Sequence, residues 1–283
     1  PEEFVKSRPA RSTASSESAG RGRYKPSGAR PAKSSKLSKL SGAPNPDSSN
    51  ATQLGLTIWR LRPSIAADSG ARIIVHSEGE TEEWTPERIE SNTPLRIGER
   101  IRFSFESPQA GNLYVIDREQ YAGGSMGDPY LIFPTTRTRE GDNRVAPGRI
   151  IEIPSQDDRP NFFSLRRTRL DQIGELLTVI VTPQPIEGLA IGAKPLSLSS
   201  RQVAQWEKQW SASTEKFEMA GAAGKPWTRA EQEAGASGSR QLTQDDPGPQ
   251  TIYRVAVKPD TPFLIKVELR YSRTRTKTRS SQN

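Results

Sequence analysis

Residues 95–105 read Leu-Arg-Ile-Gly-Glu-Arg-Ile-Arg-Phe-Ser-Phe, so apolar and polar side chains alternate along most of this stretch. Successive side chains of a β-strand point to opposite faces of its sheet. The alternation therefore predicts a strand with one face on a core and the other face in water. The sequence Ser-Pro-Gln-Ala-Gly at 107–111 is typical of a hairpin turn, and residues 113–116 form the next apolar run.

Short β-type runs of this kind recur along the chain and are separated by glycine- and proline-containing turns. Pro134, Pro154 and Pro183 each follow such a run, where a missing N–H is tolerated. The pattern favours a sandwich or barrel over alternating strands and helices. It predicts an all-β, β-sandwich-like domain, immunoglobulin-like or related, over residues 51–271, with closing strands in 251–271. The further strand candidates are residues 56–61, 72–75, 130–133, 149–153, 162–165, 176–182, 252–257 and 263–271.

One helix is predicted on the surface of this domain, at about 200–217. Ser199 or Ser200 can cap its first turn, because a serine hydroxyl accepts a hydrogen bond from a free N–H there. The apolar residues recur at helical spacing, which favours packing on the sheet over an aromatic ligand platform. Residues 218–250 are rich in Ala, Gly, Gln and Asp and are predicted to form a long surface loop. The apolar positions of the helix are Val203, Trp206, Trp210 and Phe217.

The composition excludes several classes of chemistry. The 283 residues contain no cysteine and one histidine, which rules out disulfides, thiolate ligands, cysteine nucleophiles and multi-histidine metal sites. His76 stands alone at the end of an apolar run, and the glycine-rich loop at 123–127 lacks the lysine of a phosphate-binding loop. We expect no catalytic residues, no metal site, no cofactor and no enzymatic activity. No apolar run reaches the roughly 18 residues that a membrane helix needs.

The net charge of +8 is distributed unevenly. Residues 1–50 carry ten Lys and Arg against four acids, and residues 272–283 carry four bases and no acid. Residues 51–271 hold 27 bases and 29 acids, so the body is slightly negative between two basic tails. The uneven distribution, rather than the net charge, is therefore the informative property of the chain.

Both tails are predicted to be extended and to bind partners. Residues 1–50 contain too few large apolar side chains to fold alone. Their apolar residues could anchor the tail on a neighbouring copy, as an added strand at a sheet edge for example. Residues 272–283 place four cations on one face if extended, which suits phosphate backbones, the acidic surface of a neighbouring copy, or simple solvation. The candidate partner-binding residues are Phe4, Val5, Tyr24, Leu37, Leu40, Arg273, Arg275, Lys277 and Arg279.

Residues 94–185 resemble a secreted bacterial family called domain of unknown function 4384. The resemblance implies a small all-β module found in exported proteins, with no established enzymatic activity, and it carries over no site residues. The matching stretches are Leu95-Arg-Ile-Gly-Glu99, Gly111-Asn-Leu-Tyr-Val-Ile-Asp117, Leu131-Ile-Phe-Pro-Thr135, Asn143, Pro147-Gly148, Ile151-Glu-Ile-Pro154, and Gly174-Glu-Leu-Leu177 continuing through Val179 to Pro183.

These observations predict a non-enzymatic, exported structural or interaction protein. It would be a self-assembling, filament-like subunit of an extracellular or cell-envelope assembly, joined to other copies by its extended N-terminal tail. The alternative is a binding module for an anionic polymer, either nucleic acid or anionic cell-wall glycan, and other envelope proteins are further candidate partners. The resemblance and the absence of an initial methionine support a secreted or cell-envelope location. Asn50-Ala-Thr52 is a formal N-glycosylation sequon.

Overall fold

The fold comes from a computed structural model, which describes residues 2–10, 51–77, 80–236 and 240–272. These residues contain many strands and few helices. The strands are β1 Thr52–Pro63, β2 Ile73–Ser77, β3 Glu80–Ile89, β4 Arg100–Glu106, β5 Gly111–Tyr121, β6 Tyr130–Phe133, β7 Arg144–Val145, β8 Ile150–Ile153, β9 Phe163–Ser164, β10 Gln172–Thr182, β11 Leu196–Ser197, β12 Thr214–Glu218, β13 Thr251–Val255 and β14 Phe263–Arg270. The helices are α1 Glu2–Lys6, α2 Ser200–Trp210 and α3 Arg229–Gly235.

The strands form two antiparallel sheets, which confirms the predicted all-β, sandwich-like class. In the first sheet β1 is central: it pairs with β4 on one side and with β13 and β3 on the other. The strands β12 and β2 extend this sheet beyond β13 and β3, and β8 and β9 pair with β4. The second sheet has the order β11-β6-β5-β10-β14, with β7 paired to β5.

The main core lies between the two sheets. Inward-facing side chains of β1, β4, β5, β10 and β14 form one cluster in which nearly every apolar residue is buried. The prolines behave as predicted, because β6, β8 and β10 each end at the residue before Pro134, Pro154 or Pro183. Core members include Leu56, Phe103, Phe105, Val115, Phe133, Ile153, Val179 and Ile265.

Both sheets are also covered on their outer faces. Helix α2 packs Val203 and Trp206 against Ile116 and Ile180 of the second sheet. The Oγ of Ser199 accepts a hydrogen bond from the Gln202 N–H at 3.1 Å, so Ser199 is the cap. The helix ends at Trp210 rather than near residue 217, because the chain then turns to pair as β12 with β13.

Residues 219–236 and 240–250, here called the cover segment, correct the prediction of a long surface loop. They lie on the outer face of the first sheet and are bonded to β3 through the main chain. The backbone N–H of Trp227 donates to Pro86 O at 3.1 Å, and the backbone N–H of Gly224 donates to Arg88 O at 2.9 Å. The segment contains α3, whose Thr228 and Glu231 form a reciprocal cap at its first turn.

The polar face of β4 corrects a second prediction. Ile101, Phe103 and Phe105 face the core as the alternation predicts, but the residues between them do not face water. Arg102 and Glu106 are only 1% and 4% exposed, because the cover segment and residues 2–10 lie over them. The alternation therefore predicts the strand correctly and its solvent-facing side wrongly.

Trp227 holds the cover segment in place. The residue is 2% exposed. Its ring packs edge-on against Trp59, and its indole N–H donates to Ala71 O at 2.7 Å. We expect Trp227→Ala to lower the free energy of unfolding by about 3–5 kcal/mol, the usual cost of deleting a buried aromatic side chain.

Denaturant titration measures that loss, and limited proteolysis within residues 219–250 measures the release of the cover segment. The control is Trp84→Ala, which truncates a partly buried ring at the edge of the same cluster. It should cost less and leave the cover segment protected. Full protection of the cover segment in Trp227→Ala would contradict the anchoring role.

Candidate functional site

The outward-facing side of β4 forms the floor of the candidate site. Arg102, Ser104 and Glu106 follow one another at alternate positions along the strand, so all three point away from the sandwich core. The ring N–H of Trp59, on the adjacent strand β1, donates to Ser104 Oγ at 2.7 Å. Each buried charge on this floor needs an oppositely charged partner, because leaving a buried charge unpaired costs several kcal/mol.

Arg102 of the floor and Arg88 of β3, on the same outer face, take partners from elements that flank or cover the sheet. Arg102 Nη2 donates to Glu152 Oε2 of β8 at 2.7 Å and to Pro154 O at 3.1 Å. Arg88 of β3 pairs with Glu231 of α3 and donates to Gly248 O at 2.8 Å. Glu231 therefore caps its own helix and neutralises a buried arginine of the sheet.

The two tryptophans stack against these arginines. The Arg88 guanidinium lies 5.1 Å from the ring centroid of Trp59, and that of Arg102 lies 5.4 Å from the ring of Trp227. The two rings meet edge to face with their centroids 6.1 Å apart. Cations and ring faces attract each other most strongly where water is excluded, as it is here.

Residues 2–10, here called the docking segment, fill the remaining part of the floor. Phe4 is 1% exposed, and its ring lies so close to Gly55 that a Cβ at position 55 would stand 2.8 Å from it. The chain turns after α1 through hydrogen bonds from the N–H groups of Ser7 and Arg8. Both Phe4 and Arg8 thereby face the body of the protein.

Arg8 makes the closest contacts of the docking segment. Its Nε and Nη2 donate to the two carboxylate oxygens of Glu106, each at 2.7 Å, in a bidentate pair. The same guanidinium donates to the carbonyl oxygens of Asp246 and Pro247 at 2.9 and 3.1 Å. Arg8 is 2% exposed, so this pair is shielded from solvent.

Hydrogen bonds from Gln244 to main-chain oxygens of the docking segment complete its attachment. Gln244 donates from Nε2 to the carbonyl oxygens of Lys6 and Arg8 at 3.1 and 3.0 Å, and its backbone N–H donates to Pro9 O at 3.3 Å. The docking socket, formed by β1, β4 and residues 242–249, keeps a void of only about 10 Å³ around Arg8 and Glu106. The segment thus fits its socket as a bound peptide would.

The electrostatics of the socket depend on this occupancy. Burial raises the pKa of the Glu106 carboxyl, and the hydrogen bonds and charge of Arg8 oppose that rise. Burial also lowers the pKa of Arg88, against the opposing charge of Glu231. An ionised Glu106 therefore depends on the docking segment for its counter-charge.

The predicted partner-binding residues fall into two groups. Phe4 is buried against its own body and Val5 is half-buried near Gly248, so neither is an exposed anchor in this arrangement. For residues 2–10 this corrects the prediction of an extended tail, because the side chains of a short helix and turn find a matching socket. The other candidates lie outside the described residues: Tyr24, Leu37, Leu40, Arg273, Arg275, Lys277 and Arg279.

Sequence reasoning missed Arg8, Glu106 and Gln244. Arg8 is one of ten basic residues in the first fifty, and the sequence around it does not distinguish it from the others. Its spacing of four from Phe4 offers a faint signal, since residues four apart share a face in a helical turn.

A second polar cluster lies between the two sheets. A cleft of about 110 Å³ is lined by apolar side chains and by the carboxyl groups of Asp117 on β5 and Glu175 on β10. Asp117 Oδ1 is buried without a hydrogen-bond partner, whereas Glu175 accepts a hydrogen bond from the Tyr271 hydroxyl. Burial, reinforced by the charge of Glu175, raises the pKa of Asp117 to about 8. Asp117 can therefore take up or release a proton near neutral pH.

The fold and the site define an all-β, sandwich-like protein in which the docking segment of the same chain lies over buried charges. Comparison with known proteins gives no match: no family model, no curated protein and no solved structure matches the chain. The resemblance of residues 94–185 to domain of unknown function 4384 stays a prediction. Within the described ranges, no helix has the length and apolar character needed to cross a membrane. Those ranges also contain no group of three or more acidic, His or Cys side chains arranged to hold a metal ion.

We expect Arg8→Ala to release the docking segment. The substitution removes the counter-charge of Glu106 and the donors to residues 246 and 247, and breaking a buried pair of this kind costs about 3–5 kcal/mol. Hydrogen exchange at the backbone amides of Arg8 and Gln244 measures the release in the native chain. In the variant, exchange at Gln244 should rise by at least about a hundredfold.

Lys6→Ala is the matched control, because the Lys6 side chain is 71% exposed and makes only a long ion pair with Glu2. It should leave the exchange at Gln244 unchanged. If Arg8→Ala also leaves it unchanged, Arg8 does not hold the segment.

Asp117→Asn tests the buried carboxyl through pH. An unfolded aspartate titrates near pH 4 and the folded one near pH 8, so between these values the folded protein binds one more proton than the unfolded chain. The contribution of Asp117 to stability is therefore full below about pH 4 and is lost as the pH rises through 8. Asparagine resembles the protonated form and removes this dependence.

Thermal unfolding measured from pH 4.5 to 9 distinguishes the two proteins. We expect the Tm of Asp117→Asn to exceed that of the wild type at pH 9 by at least about 2 °C and to approach it at pH 4.5. Asp128→Asn, at an exposed position, should run parallel to the wild type. A constant offset between Asp117→Asn and the wild type would contradict the raised pKa.

Proposed function

We propose that the protein is a non-enzymatic structural or interaction protein whose copies assemble through the docking segment. In the assembly, residues 2–10 of one copy occupy the docking socket of the next copy. The same contacts that hold the segment on its own body would then join neighbours. An exported location, in the cell envelope or outside the cell, belongs to this proposal and rests on the family resemblance.

The observation that carries the proposal is the bidentate pair between Arg8 and Glu106. It joins a nine-residue segment to a body from which 40 residues of sequence separate it. Forty residues can span up to about 130 Å, whereas a body of this size is roughly 45 Å across. The connection is therefore long enough for a segment to reach the socket of a neighbour.

Concentration decides between docking on the same copy and docking on a neighbour. A tethered segment reaches its own socket at an effective concentration in the millimolar range. Docking between copies prevails where copies are held close together, as on a surface or within a growing assembly. Because segment and socket are different surfaces, successive exchanges can continue as an open, head-to-tail chain, whereas a reciprocal exchange between two copies closes a swapped dimer.

The proposal is tested with two complementary variants of the full chain. The first, Phe4→Ala with Arg8→Ala, has a disabled segment and an intact socket. The second, Glu106→Gln, keeps the shape of the socket but removes the charge that Arg8 needs. We expect the wild type to form larger species as its concentration approaches about 1 mM. Each variant alone should stay monomeric, and an equimolar mixture should form a one-to-one dimer.

Sedimentation velocity measures these species, and circular dichroism verifies that both variants are folded. Lys6→Ala should assemble like the wild type. A mixture that stays monomeric would show that the socket does not accept a segment from another copy. A dimeric mixture beside a strictly monomeric wild type would show that docking belongs to the single chain, and would overturn the assembly proposal.

The alternative function, binding of an anionic polymer through the basic tails, stays a prediction. The cations that it relies on, in residues 11–50 and 273–279, lie outside the described residues.

A further inference from the structure

A surface cleft of about 570 Å³ lies apart from the docking socket, in the loops that flank β7 and β8. Its volume is in the range of sites for small molecules. Arg137, Arg139, Arg144 and Arg149 line it together with the acidic residues Glu140, Asp142 and Asp157. Four guanidinium groups thus converge on one opening.

In the described ranges, the carboxylates of the protein pair with only two of these arginines. Arg144 and Arg149 share the single carboxylate of Asp142, at 2.9 and 2.6 Å. Within the part of the chain that the structure describes, Arg137 and Arg139 have no carboxylate within 4 Å. Burial, together with the charge of Arg149, lowers the pKa of Arg139. The four arginines and three acidic residues that line the cleft therefore leave it with a net charge of +1.

Two of the guanidinium groups also have a buried N–H donor without an acceptor among the described residues. The Nε atoms of Arg139 and Arg149 are both buried without a partner. The contact of Arg139 with a main-chain oxygen, Ile150 O, is long at 3.5 Å. A guanidinium has five N–H donors, so Arg139 has several that the protein does not satisfy.

The backbone that carries Arg139 is strained. Arg139, Glu140 and Gly141 have φ angles of 52°, 55° and 84°, so two residues with a Cβ occupy the left-handed region in succession. Thr138, next to this turn, donates its hydroxyl to Asp158 Oδ2 at 2.6 Å and so ties it to the loop after β8. Strain that the surrounding structure maintains is typical of ligand sites.

We propose that this cleft binds a phosphate group, either as free phosphate or as the phosphate of a small ester, with Arg139 as its principal ligand. The planar fork of an arginine matches the oxygens of a phosphate in a bidentate manner. Arg137 and Arg149 line the same cleft and share the charge. The phosphate oxygens supply the acceptors that the protein withholds from these side chains.

The test is calorimetric titration of the full chain with inorganic phosphate and, separately, with glycerol 3-phosphate, against chloride at equal ionic strength. Saturable binding with one site per chain is expected. Tighter binding of the ester would identify an esterified ligand, and equal or weaker binding would identify free phosphate. The basic tails are present in every variant, so any non-specific binding by them is the same throughout.

Arg139→Gly is the decisive variant. Glycine relieves the left-handed strain at position 139, so the Tm should rise while phosphate binds at least about tenfold more weakly. An arginine with a structural role alone would give the opposite change in stability. Arg139→Gln should lose affinity to a similar degree.

Arg229→Gln changes the charge by the same amount at an arginine whose side chain is 85% exposed, on α3. It should bind phosphate within about twofold of the wild type. The proposal fails if the wild type shows no saturable binding of either probe, or if Arg139→Gly and Arg139→Gln bind as tightly as the wild type.

Discussion

The charges buried on the outer face of the first sheet must all be paired, and this requirement governs the arrangement around it. Arg88 on β3 and Arg102 and Glu106 on β4, the two strands that flank β1, have almost no exposure. Burying such groups is expensive unless each has a partner and further hydrogen bonds. Glu231 and Glu152 supply two partners and Arg8 supplies the third. The cover segment and the docking segment therefore each supply a counter-charge that the buried residues of the sheet require.

These pairs define position more than they add stability. An intact buried ion pair gains little over an apolar pair of similar volume, whereas a broken one costs several kcal/mol. We infer that the pairs fix the position of the outer layer on the sheet. A shift of α3 or of the docking segment along the sheet would leave a buried charge without its partner. The two tryptophans restrict the arrangement further, since each ring is fixed between its neighbour and an arginine.

Local signals in the sequence predict the strands well and the outer layer poorly. The alternation at 100–106, the prolines after three strands and the serine cap at 199 are all local patterns that the structure confirms. Thr228 and Glu231 form the spacing of a capping box, a signal that could have revealed α3 within the supposed loop. The burial of Glu106 had no such signal, because its partner Arg8 lies 98 residues away and pairing over that distance follows from the assembled fold.

The central position of β1 has a consequence for how the chain folds. Thr52 at the start of β1 pairs with Val255 of β13. The pairing of β1 is therefore incomplete until β13, the last strand but one, is in place. Contacts so distant in sequence are slow to form, because the entropy of closing a long loop is lost before the strand pair stabilises it. Until then β1 presents an open, apolar hydrogen-bonding edge. A newly synthesised chain would have to be kept from aggregating through that edge until β13 becomes available.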